Sequence, residues 1–143
     1  MMKKHPYFGH TLSRDLNPQQ IHPLSLKAPI VHVKAVIKKV EVDGESADGM
    51  HQHLLVNQIV VIEIRGAETS LVSDEAFVAI RYGDAEGIPG RIAGFAEGQP
   101  IELQGEYIDV NHAHKGVGNP GDSVIHFTHH PIGFVLYQGV RYE

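Results

Sequence analysis

The stretch SVIHFTHHPIGF, residues 123 to 134, sets three imidazoles into an otherwise strand-like run: His126, His129 and His130. Two more pairs have the spacing His-x-His, His51 with His53 and His112 with His114. In a regular strand residues i and i+2 point to one side, so His51 and His53 share a face, as do His126, Thr128 and His130, while His129 points away. If a hairpin brings His112 and His114 near His126, the rings suffice to hold zinc or another divalent transition metal, for which imidazole is a good ligand. Glu106 or Asp109 would then act as an oxygen ligand or as the partner that orients an imidazole. Three histidines and one open position bring the pKa of bound water to about 7, low enough to hydrolyse an ester or a phosphodiester. The metal candidates are therefore His51, His53, His112, His114, His126 and His130.

A plainer reading competes with this one. Histidines at strand ends satisfy backbone groups with their ring nitrogens and pack through the ring, and His-x-His pairs recur by chance in a chain with 11 histidines. Ser123 beside a histidine-bearing strand has no nucleophile-elbow motif around it. Glu41, Asp43, Glu45 and Asp48 read as a solvated acidic loop. The runs GIPG and GVGNPG lack the flanking elements and the lysine of a phosphate loop and read as turns.

A different chemistry is recognition of an oligomeric ligand, which needs cations near exposed rings. Lys34, Lys38, Arg65 and Arg81, with Tyr107, are the ligand-binding candidates; Lys39, Phe77, Tyr82 and Phe127 are near them in the pattern. Most of these rings alternate with core residues, and lysines on a strand also keep an edge soluble.

The elements that must position these groups are strands. Residues 1 to 29 hold Pro6, Pro18, Pro23 and Pro29 with little periodicity, which predicts an irregular N-terminal arm with at most a helical turn at NPQQ. From residue 30 to 143, β-branched runs alternate with glycine-rich breaks, the pattern of one all-β domain. Val31, Val33, Ala35 and Ile37 alternate on one parity and Val40 and Val42 on the other, so a bulge near Lys38 is expected to keep both sets inside. Further strands are expected over residues 51 to 66, as one piece or as two broken at Asn57 and Gln58, then over 75 to 83 and 101 to 110. A helical turn is expected within RIAGFAEGQP, and a closing hairpin with Gln138 and Gly139 at its turn.

Composition narrows the classes. A chain of 143 residues with 42% apolar content supports one core. With no cysteine, disulfides and thiolate metal sites are excluded. A net charge of -5 gives no general attraction to nucleic acid. No apolar run approaches the roughly 20 residues of a membrane helix, and no secretory leader is recognisable, so a soluble cytoplasmic protein is expected.

The order of elements, a long bent strand, further strands, then GQPIELQGEY, resembles an OB-fold. The GEY of residues 105 to 107, followed after a glycine-rich loop by VIHFTHHP at 124 to 131, resembles a family of small bacterial OB-like domains without an assigned activity, in which an HQ also begins the second strand, as at residues 51 and 52. The resemblance spans roughly residues 30 to 143. This chain departs from it at Asp122 and Ser123, where paired glycines are expected, and at Phe127, where tryptophan is expected. The resemblance implies an OB-like Greek-key barrel of five or six strands. Two functions are carried forward. The first is a binding or interaction module for single-stranded nucleic acid, another oligomer or a second copy of the chain; the second is a histidine-ligated metal protein or metal-dependent hydrolase.

Overall fold

The computed structural model describes residues 28 to 46, 49 to 116 and 118 to 143. Apart from Ala28 and Pro29, the expected N-terminal arm lies outside the described residues. The strands are β1 (Ile30–Val40), β2 (Gly44–Ser46), β3 (Gly49–Arg65), β4 (Ala76–Tyr82), β5 (Pro100–Ile108), β6 (Ser123–His126), β7 (Phe134–Tyr137) and β8 (Val140–Tyr142), with a single-turn 3-10 helix at Thr69–Leu71. Five of them close a ring in the order β1-β3-β4-β6-β5 and back to β1. The pairings are antiparallel except β4 with β6, which is parallel. The expected all-β barrel is present, and β2, β7 and β8 are short ribbons added outside the ring.

Alternation decides which side chains fill the barrel. Val31, Val33, Ala35 and Ile37 of β1, Leu54 and Val56 of β3, Val78 and Ile80 of β4, Leu103 and Tyr107 of β5, and Ile125 of β6 form one buried cluster. The bulge at Lys38 exists: Ile37 pairs with Val56, and Lys39 with the very next residue, Leu55. It does not turn the later valines inward. Val40 and Val42 are 37% and 86% exposed, because beyond Ile37 β1 pairs with β3 alone and residues 41 to 43 leave the barrel wall as a loop. β3 stays one strand through Asn57 and Gln58, absorbing the break by a left-handed Gln58 (φ 53°) and a register shift beside it.

Two other expectations fail for identifiable reasons. RIAGFAEGQP forms no helical turn, since its backbone is satisfied from the barrel instead. The buried Gln52 amide both donates to Ile92 O and accepts from Ile92 N, at 2.8 Å each, and Tyr137 Oη donates to Gly94 O at 2.6 Å. β6 also stops at His126, because Phe127 adopts a left-handed φ of 53°. The two-residue alternation that would align His126, Thr128 and His130 therefore does not extend past the first of them. The closing hairpin forms as expected, with Gln138 and Gly139 both at positive φ.

Gly105 explains how the ring closes. A Cβ there would stand 2.4 Å from His126 O, so only glycine lets β5 lie this close to the end of β6.

Candidate functional site

The outer surface of β3, β4 and β6 carries the opposite parity from the core. It presents His51, His53 and Leu55 from β3, Phe77, Ala79 and Arg81 from β4, and Val124 and His126 from β6. Such a face is ordinarily solvated, but this one is closed. His51, His53 and His126 are 6%, 3% and 1% exposed and Phe77 is fully buried. Leu55, Phe77, Ala79, Ile108 and Val124 form a second apolar cluster against which Ala113 packs. The cover is local chain: Gly118 lies over Phe77, a Cβ there being 3.5 Å from the ring and 3.7 Å from Glu41. The loop after β5 (109 to 122) thus meets the loop after β1 on top of the Phe77 ring.

Within this face the imidazoles are held by rings and strand neighbours. His51 stacks on His53 with centroids 6.3 Å apart, and His53 leans on Phe77 at 4.8 Å. Burial, more than any neighbour, holds the His51 imidazole down to about 4; His53, Arg81 and His129 oppose its protonation further, while an interaction with the Gly49 carbonyl works the other way. His53 is also lowered by burial, with the Val42 carbonyl, Asp43 and Glu41 pulling upward. His126 faces Glu106 directly across the β5–β6 ladder, Nε2 to Oε1 3.3 Å, and packs on Phe127 at 3.9 Å between centroids. His129, expected to point away, lies near His51 through the turn at Phe127.

The remaining metal candidates stand apart. His112 is exposed and paired through Nδ1 with Asp109 at 2.9 Å, His114 is exposed, and His130 is exposed near Glu143. Among the described residues no group of three His, Asp or Glu side chains is placed to hold a metal ion. His51, His53 and His126 share a face; His112, His114 and His130 do not join them.

The five ligand-binding candidates are scattered. Tyr107 points into the core, where its hydroxyl accepts from Ser73 N at 2.8 Å and pins the segment before β4. Arg81 is held by Asp84 and Glu86, and Lys38 by Glu75 at 2.6 Å. Arg65 is exposed 3.9 Å from Glu63. Lys34 stands on another side of the barrel, where it lines a shallow cleft of about 310 Å³ with Glu102, Leu136 and Gly139.

Sequence reasoning missed one cluster. Glu75, ahead of β4, receives Lys38 from β1 and contacts the side chain of Asp122, ahead of β6. No local pattern marks it, because Glu75 and Asp122 are brought side by side only by the parallel pairing of β4 with β6. No family model, curated protein or solved structure matches this chain.

Proposed function

We propose that the chain is an OB-like binding module whose ligand face is the outer surface of β3 and β4. The carrying observation is the ring order together with the meeting of two loops over Phe77. In OB barrels the face of the second and third strands in chain order, flanked by the connections after the first and fourth, takes oligonucleotides or oligosaccharides; here those elements are β3, β4, the loop at 41 to 43 that leads into β2, and the loop that runs from 109 to 122. The warrant is analogy of fold joined to local geometry. The ligand enters by displacing the 109 to 122 loop, exposing Phe77 and the imidazoles for stacking.

Cation supply sets the ligand chemistry. Arg81, Arg91 and Lys39 already face carboxylates, while Lys115 has no ion pair among the described residues. Stacking rather than phosphate contact therefore dominates this reading. The test is titration of a fluorescent oligodeoxythymidine at several salt concentrations. Binding with a shallow slope, equivalent to about one or two phosphates, supports the reading. A lack of binding to this oligomer and to a neutral oligosaccharide series overturns it.

A second reading, self-association, is favoured by one observation. Residues 57 to 65 of β3 pair only with β1 among the described residues, and Val60 and Ile62 there are 62% and 47% exposed. Register shifts opposite Lys34–Val36 and His32–Val33 break this edge into short pieces, which limits how long a partner strand can pair with it.

A further inference from the structure

The acid pair at Glu75 and Asp122 lies where the barrel closes. The parallel β4–β6 ladder begins with Ala76 opposite Ser123, so each acid immediately precedes the first paired residue of its strand. Three contacts tie this corner together. Lys38 Nζ donates to Glu75 Oε1 at 2.6 Å, Ser123 Oγ donates to Glu75 O at 3.1 Å, and the Asn119 side chain both accepts from Asp122 N at 2.8 Å and donates to Asp122 O at 2.9 Å. Asp122 is thus fixed at the end of the very loop that covers Phe77. Among the described residues no N–H or O–H donor reaches its buried Oδ2, and its hydrogen-bonding neighbour is the Glu75 carboxylate. Two carboxylates in such contact need a proton between them.

We propose that Glu75 and Asp122 form a proton-operated latch on the 109 to 122 loop, closed while the pair shares a proton and loosened when the proton leaves. The regulation rests on reading the β3–β4 outer face as the ligand site, since the loop is its cover. The charged groups facing Asp122 are Glu75 and Lys38. Burial first, then the hydrogen bond and the charge of Glu75, push the Asp122 carboxyl up to about 6, with Lys38 opposing. Glu75 moves the other way, held down by its bonds to Asp122 and Lys38. One proton therefore resides on Asp122 in mild acid and is lost toward neutral pH. The pair then carries two negative charges against one ammonium, and the loop end is repelled from the β4 side.

The test is amide exchange of the intact protein at pH 5 and 7.5, corrected for intrinsic rates. Protection across 109 to 122 should fall about tenfold or more at the higher pH, and Asp122→Asn, whose amide donates to Glu75 at any pH, should remove that dependence. A carbon-13 titration of the wild-type Asp122 carboxyl keeps the idea exposed if the variant folds poorly. A midpoint near the ordinary 4 overturns the latch, as does protection that ignores pH. Oligodeoxythymidine binding, measured at the same two pH values, separates the two ideas. A pH-dependent loop with no binding of oligodeoxythymidine or of the neutral oligosaccharide series leaves the latch and removes the ligand reading; binding equal at both pH values removes the latch alone.

Discussion

Glu106 and His126 sit directly opposite each other on β5 and β6, their side chains 3.3 Å apart and both buried. Gly105, one residue earlier, allows the approach, and Tyr107, one later, turns into the core. The three residues of GEY thus serve closure, pairing and packing in turn.

Removing one side of this pair should leave a buried polar group stranded. His126→Ala is expected to lower stability by about 1 to 3 kcal/mol, read as a shift of the urea midpoint with an unchanged slope. A midpoint equal to wild type would mean that the imidazole contributes packing of no consequence.

Glycine at 105 and 133 is a steric requirement. A Cβ at Gly133 would lie 1.9 Å from Gln104 O, closer even than the one at Gly105 to His126 O. Gly105→Ala and Gly133→Ala should each cost near the upper end of the roughly 1 to 3 kcal/mol typical of overpacking, or prevent folding. Soluble variants with wild-type melting temperatures would refute the close approach of these strands.

Acid should destabilise the outer face. The folded-state pKa values of His51 and His53 lie below the ordinary 6.5, so the unfolded chain binds these protons more readily. Their contribution is complete above about pH 6.5 and is lost as pH falls, His51 alone accounting for about 3 kcal/mol by pH 4. Asp122 works in the opposite sense: its raised pKa adds stability below about 6, which disappears as pH rises through that value. The difference between wild type and His51→Gln across pH 7.5 to 4 isolates the imidazole. Parallel curves would show that His51 is not buried as described.

Val60 and Ile62 are exposed on a half-paired strand. Ile62→Lys should change monomer stability by no more than about 0.5 kcal/mol. If the chain self-associates there, the same substitution should abolish a concentration-dependent rise in sedimentation coefficient. A wild type that sediments as a monomer at every concentration closes that reading.

Periodicity in the chain was enough to determine the all-β architecture, the inward set on β1, the bulge at Lys38 and the turn at Gln138 and Gly139, because each depends on a few adjacent residues and on which side of a pleat they fall. It also placed His51 and His53 on one face. It could not decide where β6 ends: the left-handed Phe127 cancels the alternation that His126, Thr128 and His130 were expected to follow. Nor could it find the contact of Glu75 with Asp122 or the gathering of His53, Phe77 and Val124 on one closed outer face. Those depend on β4 meeting β6 in parallel across a closed ring, and only the ring brings together residues so far apart in the chain. Local geometry is set by neighbours in sequence, whereas proton sharing and burial are set by neighbours in space.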